Sequence, residues 1–261
     1  MKKQRIAAAG FLLALALYTP GSAAENPSRP PADKPTKKRF ADPPQYAALH
    51  TTSPLTIDGK LDEKIWKSAP AHGLVMPDQL KNKGHTLRDP GSCRFLWNEE
   101  YLYVGIEFTD GDVIARGTGN HQHHYMLGDL AELFIYRESA AAYHELYVTP
   151  AGYKTCFYFS KPGGKLEIRK DCSLRVAAVV RGTFNKSDDR DKGWVAEFAV
   201  PAKVLLPQKK LAANQVWRVL VGRYNYAKKD TDLTAEISSA PWVPYASFHS
   251  RKRFARLTLQ R

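Results

Sequence analysis

The sequence predicts an all-β chain: an antiparallel β-sandwich of two sheets, immunoglobulin-like or jelly-roll-like in architecture, with a few short helices. Three observations predict it. A series of short runs alternates apolar and polar residues with period two and is rich in β-branched and aromatic side chains, the mark of half-buried strands. Turn-forming residues separate neighbouring runs, and the stretches with helical character are short.

In chain order the runs are SCRFLW (92–97), YLYVGIEF (101–108), LAELFIY (130–136), HELYVT (144–149), YKTCFYF (153–159), LRVAAVV (174–180), WVAEFAV (194–200), WRVLVGRY (217–224) and FARLTL (254–259). Asn98-Glu99-Glu100 joins the first two as a hairpin, and Pro150-Ala151-Gly152 joins the fourth and fifth. Helices are expected over 62–69 and 202–206. Trp66, Trp194 and Trp217 sit in these patterns as core residues, and Trp97, just before a turn, reads as packing rather than as a ligand contact. No internal repeat is visible.

The N-terminus reads differently. Basic Lys2, Lys3 and Arg5, an apolar run from Ile6 to Leu17, and small residues before Glu25 have the layout of a secretory signal peptide over 1–24, cleaved after Ala24. The run is shorter than the roughly 20 residues of a membrane span, and no later stretch is apolar enough for one. Residues 25–45 are rich in proline and lysine and form an extended linker, leaving 46–261 as one domain. The expected location is periplasmic or extracellular.

Removing the three basic residues of the signal from the formal +13 leaves +10, enough to attract polyanions at long range. Nucleic acid is not the expected partner, because the charge is scattered and no binding motif accompanies it. Acidic glycans and an anionic cell envelope fit the charge equally well, as does a basic solvated surface with no partner. Of Cys93, Cys156 and Cys172, the last two could bridge neighbouring strands, a link worth about 3 kcal/mol; the sequence leaves all three pairings open.

Signatures of catalysis are missing: there is no Gly-x-Ser-x-Gly elbow, Walker loop, His-Glu-x-x-His motif or Rossmann fingerprint. The expectation is therefore a non-catalytic chain. Asn120-His121-Gln122-His123-His124 places three imidazoles close together, a metal-ligand pattern or, more plainly, a polar loop. Glu107, Asp110, Asp112 and Asp129 flank it and offer oxygens of the kind calcium takes, without the spacing of a calcium loop.

SPLTIDGKLDEKIWKSAP (53–70), FLWNEEYLYVGIEFTDGDV (95–113), GDLAELFIY (128–136), YHELYVTPAGY (143–153), GWVAEFAVP (193–201), VWRVLVGRYNY (216–226) and SFHSRKRFARLTL (247–259) resemble, in order, the blocks of the family 9 carbohydrate-binding modules. The resemblance implies an antiparallel sandwich that holds a sugar at one end between two aromatic rings backed by polar side chains, without a required cofactor and with structural calcium in some members. Such a site matches the two surfaces of a pyranose, an apolar C–H face and a rim of hydroxyls.

On that resemblance Glu132 takes the place of a sugar-binding carboxylate, with Asp129 opening its block. Tyr125 or Met126 takes one clamp position and Phe248 the other, where binding members carry Trp. Tyr147, Thr149 and Tyr245 stand where the family has Arg and Asn types, which removes charge-assisted hydrogen bonds and leaves the specificity open. Tyr125, His124, Trp242, Tyr245, Phe248 and His249 are candidates for a new aromatic and imidazole cleft, with core packing or plain surface as the alternative for each.

The implied function is glycan binding by an exported module, supporting polysaccharide breakdown beside a glycoside hydrolase or attachment to the envelope. Two other classes compete. Related sandwiches of the dopamine-monooxygenase-like (DOMON) group hold b-type haem between axial Met and His, for which Met126 and His144 make a pair. The third is a structural envelope protein that keeps the fold and a vestigial sugar site.

Overall fold

In the computed structural model the described residues are 42–227 and 236–261. The signal peptide and nearly all of the linker expected from the sequence lie outside them.

The strands are β1 (Gln45–His50), β2 (His72–Gly73), β3 (Gly91–Trp97), β4 (Tyr101–Phe108), β5 (Leu130–Arg137), β6 (Tyr143–Val148), β7 (Lys154–Phe159), β8 (Leu166–Ile168), β9 (Arg175–Arg181), β10 (Gly193–Pro201), β11 (Val216–Asn225), β12 (Glu236–Ala240) and β13 (Ala255–Gln260). Among the described residues three short helices accompany them: α1 (Lys64–Ser68), α2 (Asp78–Lys81) and α3 (Ala202–Leu205). Every run expected as a strand is one. β1, β2, β8, β12 and α2 were not foreseen, being short or without alternation.

Hydrogen bonding runs through one continuous path, β8-β7-β6-β5-β11-β13-β1-β3-β4-β10-β9, with β12 beside β11 and β2 beside β3. The path curls over so that β6 packs against β9 and β10, which makes the two layers of a β-sandwich. Pairing is antiparallel except at β1, which runs parallel to both β13 and β3. This strand therefore joins the layers, from Gln45, one residue inside the expected linker.

Between the layers lies the main core, with Phe95, Leu133, Leu146, Phe198 and Val219 among its residues. Trp97, Trp194 and Trp217 belong to it, and the Trp97 indole donates to the carbonyl of Gln260 at 2.9 Å. Trp66 lies elsewhere, on the outer face of the second layer with Leu55, Leu96 and Tyr103. Cys156 and Cys172 form a disulfide, and Cys93 is a buried free thiol.

Simple alternation foresees one buried face per strand, but β5 and β10 are buried on nearly every residue. The reason for β5 is a second apolar cluster on the outer face of its sheet, formed by Leu130, Phe134, Tyr136, Tyr143, Tyr147 and Leu220 and covered by Val243, Phe248 and Phe254. The irregular segment 242–254 therefore acts as a third layer over part of β5, β6 and β11.

Candidate functional site

The site grows out of the period of β5 and β6. Along LAELFIYR, Ala131, Leu133 and Ile135 enter the main core, while Leu130, Glu132, Phe134 and Tyr136 face outward. Register then sets Glu132 opposite Tyr147 and Phe134 opposite Glu145, so the two carboxylates are diagonal neighbours on one face. On the far side of β5, Glu132 pairs with Gly222. A Cβ at Gly222 would come within 2.7 Å of the Phe248 ring, so the glycine is what lets Phe248 lie on the sheet.

Three contacts pin the covering segment. The Tyr136 hydroxyl donates to the carbonyl of Arg251 at 3.1 Å, the Tyr143 hydroxyl meets His249 Nδ1 at 3.2 Å, and the Arg251 guanidinium lies 3.7 Å above the Tyr136 ring. On the opposite side, Asp129 accepts from the amides of Ile114 and Tyr226, each at 2.7 Å, and so ties the turn before β5 to the end of β11. That turn is a single 3₁₀ turn, His124–Met126, and the Tyr226 hydroxyl donates to the carbonyl of Tyr125.

Between these two edges a cavity of about 340 Å³ opens. Its polar floor is Glu132, Glu145 and Tyr147, its walls include Tyr125, Tyr224, Phe157 and Phe248, and His123 and His249 stand at its side. Glu132 is 2 % exposed, and burial, aided by the nearby Glu145, pushes its carboxyl well above the usual carboxylate range. Burial pushes Glu145 up to about 7. The Tyr147 hydroxyl donates to Glu145 Oε1, and burial raises the phenol well above its ordinary value. Glu132 Oε2 and Glu145 Oε2 have no hydrogen-bond partner in the protein. His249 Nε2 is 4.0 Å from Glu145 Oε2, and burial lowers the pKa of this imidazole.

Of the residues expected from the sequence, Tyr125, Glu132, Tyr147 and Phe248 line this one cavity, as does His249. His124, Thr149, Trp242 and Tyr245 do not. The tight turn sends His123 toward the cavity and His124 away, under Gly117 and stacked with Tyr153 at 6.4 Å. Burial lowers the His124 pKa to about 4. Thr149 is committed to the β6–β7 turn, its amide donating to the carbonyl of Tyr153 at 2.9 Å and its hydroxyl accepting from the Tyr153 amide at 3.2 Å. Trp242 donates to Asp78 at 3.1 Å at the edge of the covering segment. Tyr245 is 61 % exposed, one residue before Ala246, which does line the cavity. The sequence reading missed Glu145, Phe157 and Tyr224. Glu145 was legible in principle, since it alternates with Tyr147 on the strand that carries it.

Three of the four acidic residues weighed as calcium ligands have partners of their own in the protein. Glu107 pairs with Arg181 at 2.8 Å, Asp110 with the fully buried Arg223 at 2.9 Å, and Asp129 with the two amides above. Among the described residues no group of three or more His, Cys, Asp or Glu stands close enough to hold a metal ion. Met126 and His144 do not face a common cavity either: His144 alternates with Glu145 and so points to the other face of β6, into a separate cavity beside Lys203 and Trp217, whereas Met126 is 54 % exposed. No helix among the described residues is long and apolar enough to cross a membrane.

A family model described as carbohydrate family 9 binding domain-like matches residues 57–261. Among solved structures, a candidate carbohydrate-binding protein from Bacteroides uniformis superposes with a TM-score of 0.67 at 11 % identity, covering 83 % of this chain and 99 % of its own. A family 9 carbohydrate-binding module from Caldicellulosiruptor kristjanssonii in complex with cellotriose superposes at 0.57 with 13 % identity over 83 % and 93 % of the two chains. The same organism's module in complex with glucose gives 0.54 at 12 % identity over 82 % and 95 %. No curated protein matches this chain at a significant level.

Proposed function

Since the chain belongs to the carbohydrate family 9 binding domain-like family, a family of non-catalytic modules, we propose that it binds a glycan in the cavity over β5, β6 and β11. One observation carries the reading: a half-buried aromatic ring, Tyr125, and the buried carboxylate Glu132 border the same cavity, with Phe248 behind them. A pyranose needs such a pair, a ring for its C–H face and polar atoms for its hydroxyls. Tyr125 is the ring open to stacking. Phe248, 3 % exposed, contributes the packed wall that fixes the cavity's depth. Glu132 and the Tyr147 hydroxyl are the hydrogen-bonding groups.

The solved relatives that hold cellotriose and glucose support a saccharide ligand on this fold. The amino-terminal pattern supports export, and a module of this kind acts beside a glycoside hydrolase or on the envelope. The test is a glycan array on the full chain followed by calorimetry, with Tyr125→Ala and Glu132→Gln as variants. Both should lose retention at least about tenfold, as the removal of a stacking ring or of a buried hydrogen-bonding carboxyl predicts, while circular dichroism stays unchanged. A folded protein that retains no glycan on the array, or variants that bind as the parent does, would overturn the proposal.

A further inference from the structure

The cavity carries more acid than a neutral sugar requires. Glu132 and Glu145 are both at least 95 % buried on neighbouring strands, each with an unpartnered Oε2, and among the described lining residues there is no lysine or arginine. Aromatic rings line the same cavity, chiefly Tyr125, Tyr147, Phe157 and Tyr224. The titratable groups facing the pair are His249 at 4.0 Å from Glu145, His123, and the three tyrosines.

Resting on the reading of this cavity as a saccharide site, we infer that its ligand is a saccharide bearing a free ammonium group, such as a 2-amino-2-deoxyhexose or the end of a de-N-acetylated glycan. The ammonium has three donors and no acceptor, which matches two carboxylate oxygens that lack donors. Its charge favours the ionised form of a buried carboxyl, which a neutral hydroxyl does not. An aromatic ring attracts a desolvated cation that stands over its face, and the four rings named above line the cavity. A uronic acid would instead bring a negative charge into a lining whose described residues include no lysine or arginine to balance it, so the acidic glycans suggested by the chain's net charge are disfavoured in this cavity.

Binding has a proton balance. Below about pH 7 Glu145 holds a proton, and burial holds one on Glu132 as well; when the ammonium arrives, the Glu145 proton leaves for solvent and its carboxylate accepts hydrogen bonds from the ligand nitrogen, while Glu132 keeps its proton and accepts through its free oxygen. Affinity for the amine should therefore rise between pH 5 and pH 7.

Calorimetry on the full chain at pH 6.5, in two buffers of different ionisation enthalpy, tests this with glucosamine, glucose, N-acetylglucosamine, galacturonic acid and n-butylamine. The expected result is glucosamine tighter than the two neutral sugars by about tenfold or more, with net proton release, and both features lost in Glu145→Gln. Neutral sugars binding as tightly as glucosamine, or galacturonic acid binding more tightly, would overturn the ammonium inference and leave the glycan reading standing. n-Butylamine binding as tightly as glucosamine, with no sugar competing, would overturn both, as would the absence of any binding by the folded protein.

Discussion

Replacing Glu145 with glutamine should change how stability depends on pH, in a direction set by burial. The ordinary carboxyl titrates at 4.5 in the unfolded chain and at about 7 in the folded one. Between those values the folded state holds a proton that the unfolded state has released, so the stability this group contributes is complete below pH 4.5 and is lost as the pH climbs through 7. At about 1.36 kcal/mol per pH unit the loss is about 3 kcal/mol, and Glu145 is 5 % exposed, so solvent screens little of it. Glutamine keeps the shape and still accepts the bond from Tyr147, but it does not titrate. Urea unfolding followed by tryptophan fluorescence at pH 5 and pH 8 should therefore show the variant gaining on the parent by about 3 kcal/mol from the lower to the higher pH. Glu197, also pushed up to about 7 by burial, makes both proteins weaken with pH and cancels in the difference, whereas Glu132 is raised less once Glu145 is gone, which adds to the variant's gain in the same direction. Any cost of the amide's unpaired N–H is present at both pH values and cancels too. The same difference between variant and parent at pH 5 and pH 8 would refute the argument.

The remaining predictions concern packing, the cross-link and the buried ion pair. Gly222→Val puts a side chain where Phe248 lies, at 2.7 Å from its ring; overpacking should cost about 1–3 kcal/mol in urea unfolding and shift the ring enough to weaken glycan retention, and a variant with parental stability would contradict the packing. Removing the disulfide with Cys156→Ala and Cys172→Ala together releases a loop with a sequence separation of 16, expected to lower stability by about 3 kcal/mol; in the intact protein Cys93, fully buried, with its thiol pKa raised by that burial, should stay unreactive to a thiol reagent until the protein unfolds. Arg223→Met leaves Asp110 buried without its cation, 2.9 Å away in the parent, and should cost about 3–5 kcal/mol, part of it recovered when Asp110→Asn is added; no recovery in the double variant would mean the loss comes from the other bonds of Arg223, to Asn225 and the carbonyl of Asp89.

Strands long enough to show their period were legible in the sequence because burial on one face forces the alternation, and YLYVGIEF, for instance, corresponds residue for residue to β4. β1 was not. Its QYAALH has little amphipathic contrast, follows a proline-rich stretch, and gains its stability from parallel partners distant in sequence, Ala255–Gln260 and Gly91–Trp97. The covering segment 242–254 was equally opaque, since irregular backbone has no period to read. A hint of it existed in LAELFIY, where the outward positions Leu130, Phe134 and Tyr136 are as apolar as the inward ones. For the site, periodicity placed no residue of β5 beside one of the covering segment; the resemblance brought Tyr125, Glu132, Tyr147 and Phe248 together, and the coordinates set them around one cavity. It could not supply Tyr224, which faces the cavity only because β11 pairs with β5 in a register that puts it opposite Leu130.

Charge is where the sequence pointed one way and the cavity the other. A formal +13 suggests an anionic ligand, but net charge acts over the whole surface and is screened within about 8–10 Å in physiological salt. Among the described residues some of the basic side chains stand beside surface acids, as in Arg181 with Glu107, Arg218 and Arg256 with Glu138, and Arg261 with Glu99, and the excess is spread over the surface rather than gathered at the cavity. Inside the cavity screening is weak and the lining decides: two buried acids with unfilled acceptors outweigh a diffuse positive surface at contact distance. On the proposed reading the surface would act at long range on the polymers the domain approaches, and the pair Glu132–Glu145 would select the sugar at contact. An acidic polymer and an amino sugar are compatible within one binding event only if they meet these two parts of the molecule separately.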